Sequence, residues 1–156
     1  MSPWLDNNWV AHTRLMLDSY SKLVGHELIE RSGDEVDEAK RLFSVPFAVV
    51  SHGNQEDPIL NYGNATALAL WEMAIPDLLV TPSRETAEPV HREERARLLE
   101  QTTRDGYVDN YRGIRITSTG KRFMIEQATV WNLVDDNMNL VGQAATFSEC
   151  NFLDDE

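Results

Sequence analysis

The chain has one cysteine, Cys150, in 156 residues, so no internal disulfide can form. Without a second thiol nearby it also lacks the spacing of a zinc or redox pair, and it reads as a small apolar residue near a strand end. Long apolar runs are missing: nothing approaches the roughly 20 residues of a membrane span, and the first ten residues carry no basic segment leading into an apolar one. A soluble, cytoplasmic protein with no membrane partner is expected. Positive charge is scarce, with 14 Lys and Arg against 26 Asp and Glu for a net charge of −12. Such a chain repels a phosphate backbone, so nucleic acid is not an expected partner. The closest group of cations, Arg92, Arg95 and Arg97, alternates with Glu93, Glu94 and Glu100 and reads as a solvated helix laced with i,i+4 pairs.

Catalytic signatures are missing as well. There is no Gly-rich phosphate loop followed by Lys and Ser or Thr, no nucleophile elbow and no His-Glu-x-x-His. The histidines His12, His26, His52 and His91 fall in separate segments and read as surface residues. His12 and His26 share a helix but stand about 21 Å apart along its axis, too far for one metal ion. Asp34, Glu35, Asp37 and Glu38 lack the glycine-punctuated loop of a calcium site and suit the positive end of a short helix instead. No enzyme is expected, and no metal.

What is present is a pattern of elements. Val10, Leu15, Leu17, Tyr20, Leu23, Val24 and Leu28 recur at helical intervals, which predicts an amphipathic helix followed by a second one through Leu42. Residues 47–50 and 59–63 read as two strands joined by a polar turn. Asn64 caps a helix over 65–73, prolines 76, 82 and 89 permit only short turns, and 91–103 is helical again. Three β-rich runs, 111–117, 122–134 and 140–147, are separated by short turns and predict an antiparallel meander. The order gives an α+β fold: a five-stranded antiparallel sheet, helices on one face, and an additional N-terminal amphipathic helix to cover the other face or a second copy of the chain.

Specific words inside this pattern resemble the MEKHLA domain family, a branch of the PAS-like fold. They are ILNYGNATALALWEM (59–73), PSRETAEPVHREERARLL (82–99), YRGIRITSTGKRFMIEQATVWNL (111–133) and GQAATF (142–147). The family occurs as free-standing bacterial proteins and as the C-terminal domain of plant class III homeodomain-leucine zipper transcription factors, where it is thought to regulate dimerisation. The resemblance implies a strand order of 2-1-5-4-3, a helical extension over 1–42 and a PAS-like domain over 43–156. It further implies a sensory or regulatory module that binds a small molecule, dimerises, or both. The alternative is a purely structural interaction module with a filled core. A homodimer using the N-terminal helix, or a protein partner, is expected.

In the PAS-like template the ligand lies between the helices and the inner face of the sheet. Strict alternation along 122–134 puts Phe123, Ile125, Gln127, Thr129, Trp131 and Leu133 on one side, with Gln127 and Thr129 as the orienting polar groups. Tyr62, Trp71 and Leu99 would close the cavity from opposite. Arg115, between Ile114 and Ile116, must meet an anion if it points inward, either Glu126 or a ligand carboxylate; otherwise it snorkels to water at a sheet edge. No cysteine lies between 76 and 103, which excludes the covalent flavin adduct of light-sensing PAS domains. His91, in the polar context PVHREER, does not suit haem ligation. The ligand itself stays unassigned.

Overall fold

The structure is a computed structural model that describes residues 2–153. The first helix, α1 (Asn7–Val24), starts where the Asp6 carboxylate accepts the Asn8 amide at 2.8 Å and stops at Gly25, whose φ of 96° only glycine adopts cheaply. A second helix, α2 (Glu35–Ser44), is capped by Asp34. Then come β1 (Ala48–Gly53), β2 (Leu60–Gly63), α3 (Ala65–Trp71), the single turn α4 (Ile75–Leu78) and α5 (Pro89–Asp105). Four strands finish the chain: β3 (Tyr107–Ile116), β4 (Arg122–Val134), β5 (Leu140–Phe147) and β6 (Glu149–Phe152).

The fold is α+β, with every strand pair antiparallel and the path β2-β1-β5-β4-β3 as expected. The count of five strands needs correction to six. After a break at Ser148 the chain resumes as β6 and pairs with the first half of β4, Phe123 opposite Phe152 and Glu126 opposite Glu149. Because β4 is 13 residues long and β5 only 8, an unpaired stretch of β4 remains for β6 to take.

Helices cover both faces. On one, α3 and α5 face Phe123, Ile125, Ala128 and Phe147; on the other lie α1 and α2. Trp9, Met16, Leu17 and Tyr20 of α1 enter one core with Leu42, Val49, Tyr62, Trp131 and Leu133. The Trp131 indole donates to the Met16 carbonyl at 3.2 Å, and Tyr20 meets Trp131 edge-on at 4.9 Å between ring centroids. The apolar stripe of α1 is therefore buried against the chain's own sheet, and a dimer through this helix would have to use its polar face.

Asn64 fastens these layers. Fully buried, it accepts the amides of Val49 and Ala67 at 3.0 and 3.1 Å and donates to the carbonyls of Leu42 and Phe47 at 3.1 and 2.9 Å. One side chain thus caps α3 and ties it to the end of α2 and the start of β1. All the hydrogen-bonding capacity the amide needs when buried is met.

Strict alternation fails in β4. Tyr111 pairs with Ala128 and Gly113 with Ile125, so two steps on β3 span three on β4. The extra residue is Gln127, at φ 51° and exposed. A compensating irregularity on β3 holds Asn110 at φ 54°. Each bulge reverses the facing of everything beyond it. Phe123 and Ile125 face α3 and α5, but Thr129, Trp131 and Leu133 face α1, and Ala128 and Val130 take their place inside.

A left-handed conformation costs a non-glycine residue about 1–2 kcal/mol and a β-branched one most. In urea denaturation Gln127→Gly should be at least as stable as the parent, and Gln127→Val should fall below the glycine variant by about 1–2 kcal/mol. Equal stabilities for the two would remove the bulge from this position.

Candidate functional site

Between the inner sheet face and the helices lies a cavity of about 70 Å³. Its floor is Val50 and His52 of β1, Ile125, Ala128 and Val130 of β4, and Ala145 and Phe147 of β5. Trp71 closes one side, Leu98 and Leu99 of α5 another, and Ser83, Thr86, Arg95, Tyr111 and Arg115 bring polar groups to the rim. Gln143 holds α5 over the sheet: its Nε2 lies 3.1 Å from the Leu99 carbonyl and 3.0 Å from both Thr103 Oγ1 and Asn132 Oδ1.

Of the eight residues expected to wall a cavity, Trp71, Leu99, Arg115 and Ile125 line this one. Phe123 stands one layer back, edge-on to Trp71 at 5.2 Å between centroids. Three were misplaced. Gln127 is the exposed bulge residue, and Thr129, shifted to the other face, lies against the Tyr20 hydroxyl. Tyr62 packs under α1, 4.6 Å from the Trp9 ring and 5.9 Å from His12. It sits on β2, where neighbouring Leu60 faces the cavity instead.

Arg115 is buried, not snorkelling. Its guanidinium donates to the Ile114 carbonyl at 2.9 Å and to the Tyr111 hydroxyl at 3.1 Å, with its carbon 5.5 Å from the Tyr111 ring centroid. Glu126, weighed as its partner, is on the opposite face and accepts from Arg112 at 2.7 Å. Gly113 makes the arrangement possible, because a Cβ there would overlap the Tyr111 hydroxyl. Tyr111 in turn donates to Glu94 at 2.9 Å.

Arg95 is the second correction. The charge-rich helix was expected to be solvated throughout, and Arg97 does pair with Glu93 at 3.3 Å in the open. Arg95, however, is buried and donates to Ser83 Oγ. Burial, and then the neighbouring Arg115, lower its pKa to about 10. Helical spacing carried the signal: Arg95 shares a face with Leu98, Leu99 and Thr102, three, four and seven residues on.

His52 was also missed, since the strand was expected to end at Val50 and β1 runs on to Gly53. Its Nδ1 donates to the Gly53 carbonyl at 2.8 Å, which leaves Nε2 buried with no partner. Trp71 Nε1 is likewise buried and without one. His12, expected on the surface, is packed over Tyr62 with Nε2 2.8 Å from Ser51 Oγ.

This architecture, a sheet in the order β2-β1-β5-β4-β3 with a cavity under its inserted helices, is that of a PAS domain. The solved PAS domain of a protein from Colwellia psychrerythraea aligns with a TM-score of 0.63 at 16% identity, covering 77% of this chain and 98% of that one. A light-oxygen-voltage domain studied with a flavin analogue aligns at 0.59 and 16% identity, covering 76% and 86%. The photo-excited blue-light photoreceptor Vivid aligns at 0.51 and 12%, covering 66% and 78%. These likenesses show the fold. The MEKHLA domain matches residues 10–152, and the chain belongs to that family. No curated protein matches it.

A flavin does not fit these residues. Benzene occupies a cavity of about 150 Å³, so about 70 Å³ leaves no room for a tricyclic ring. Cys150 lies on β6 opposite Ile125, and neither it nor His91, in the first turn of α5, lines the cavity. No helix among the described residues is long and apolar enough to cross a membrane.

Burial lowers the pKa of both His12 and His52 to about 4, with Arg95 adding to the effect at His52 against the Gly53 hydrogen bond. Both are neutral when folded and protonate near 6.5 when unfolded, so the unfolded chain binds more protons below that pH. Stability should be full above pH 6.5 and fall as pH drops towards 4. From pH 7.5 to 5 each histidine contributes a loss of roughly 2 kcal/mol by this linkage. Denaturant unfolding at constant ionic strength checks this, and the profile of a His12→Gln, His52→Gln double variant should be markedly flatter over that interval.

Proposed function

We propose that the chain is a non-catalytic sensory or regulatory module whose small organic ligand occupies the cavity beneath α3 and α5. The observation that carries this reading is the pair of buried, partnerless polar atoms in the cavity wall, His52 Nε2 and Trp71 Nε1. Leaving such groups unmet costs about 1–3 kcal/mol each, and these two face space that a ligand could fill, whereas Trp9 Nε1, also buried without a partner, is packed in the core under α1. The rest of the wall is apolar, as pockets for small molecules generally are. The PAS fold and the MEKHLA family support the sensory role, and the alternative of a filled core has the cavity against it.

The test is thermal unfolding of the chain with a panel of small neutral, anionic and cationic organic compounds. Binding to the folded state alone raises the midpoint. At least one compound should raise it in the parent and fail to do so in Ala145→Leu, whose added carbons fill the cavity. The variant should itself unfold no earlier than the parent without ligand. If no compound acts on the parent, or every active one acts equally on Ala145→Leu, the cavity is not a ligand site.

A further inference from the structure

Resting on that reading, the cavity also carries information about the class of ligand. Arg95 comes from α5 and Arg115 from β3, and they meet at one cavity with relative exposures of 8% and 6%. Burying a guanidinium away from water is expensive unless an anion balances it, and burying two together adds their mutual repulsion. Yet all the acceptors they use are neutral: Ser83 Oγ for Arg95, the Ile114 carbonyl and the Tyr111 hydroxyl for Arg115. Among the described residues neither forms an ion pair. Of the acids nearby, Asp57 is engaged by Arg84 at 3.2 Å and Glu94 reaches Arg115 only through the Tyr111 hydroxyl, while Glu126 is on the opposite face with Arg112. With the Trp71 indole N–H unmet as well, the cavity holds an excess of donors and of positive charge.

We propose that the ligand is a short monocarboxylate, its carboxylate held by Arg95 and Arg115 and its tail against the apolar floor of Val50, Ile125 and Val130. Two guanidiniums suit the planar, doubly accepting oxygens of a carboxylate. The size follows from the volume: about 70 Å³ is roughly half the space that holds benzene, enough for about two to four carbons including the carboxyl. Inorganic phosphate is disfavoured because it has no apolar tail to place against Val50, Ile125 and Val130, and a dicarboxylate because its second charged group would lie against them.

The experiment follows thermal unfolding at pH 7.5 and fixed ionic strength, with chloride as the other anion. The probes are acetate, propionate, butyrate and pyruvate, the neutral amides of the first three, and inorganic phosphate. In the parent, one or more of the carboxylates should raise the midpoint in a saturable way and its amide should not. Arg95→Met and Arg115→Met should each weaken that carboxylate at least tenfold. Without ligand both variants should unfold no earlier than the parent, since each removes an uncompensated buried charge; a merely structural arginine would leave its variant less stable. The acid-to-amide comparison in the parent stands even if a variant fails to fold. Equal shifts by acid and amide, or a neutral compound active in the parent and silent in Ala145→Leu, would overturn the charge inference and leave the ligand site standing. A response to phosphate without one to carboxylates overturns it too, as does silence from every anion.

Discussion

One extra residue in β4 decides which side chains this protein shows to each of its two helical layers. Backbone alternation is a strict rule with a period of two, so a single inserted residue exchanges the faces of everything after it. Before Gln127, β4 offers Phe123 and Ile125 to the layer of α3 and α5. Beyond it, Trp131 and Leu133 turn to α1. Without the bulge, Trp131 would occupy the space that is now the cavity, and α1 would lose the ring that Tyr20 and the Met16 carbonyl hold. The cavity and the docking of the first helix are thus two results of one backbone irregularity.

The same strand joins the two layers mechanically. Val130 borders the cavity and its neighbour Trp131 lies under α1, so the sheet between cavity and helix is one backbone thick. Close packing makes such a strand respond as a unit. A change on the cavity side therefore has a short physical route to α1, whose polar face is what the folded chain presents outward.

Buried polar groups divide into two kinds. Asn64, Gln143 and Asn132 have their partners within the chain and hold elements at fixed spacing. His52, Trp71, Arg95 and Arg115 cluster around one cavity and are short of acceptors, donors or counter-charge. Stability alone favours the first arrangement; Trp9 Nε1, under α1, is also without a partner, but the four groups at the cavity surround a common space.

The sequence by itself determined the main helices, five of the six strands, their antiparallel order and the family. Those rest on local signals such as the Asn64 cap, helical spacing in α1 and the turns between the last strands, each readable within a few residues; the stop of α1 at Gly25 was not among them, since the apolar spacing runs on to Leu28. Four of the eight expected wall residues were readable too, Ile125 and Arg115 from alternation along their strands and Trp71 and Leu99 from what the resemblance implies. Tertiary structure alone decided the rest. A bulge leaves no mark in composition, because glutamine and asparagine at φ near 50° look like any polar strand residues, and so Gln127 and Thr129 were assigned to the wrong places; a separate register shift between β1 and β2 separates Tyr62 from Leu60. The burial of Arg95 was likewise missed: its spacing from Leu98, Leu99 and Thr102 carried the signal, but the alternating charges of the helix outweighed it. Whether a charged side chain is solvated depends on what the chain brings opposite it, and Arg115, Ser83 and Tyr111 arrive there from two other segments.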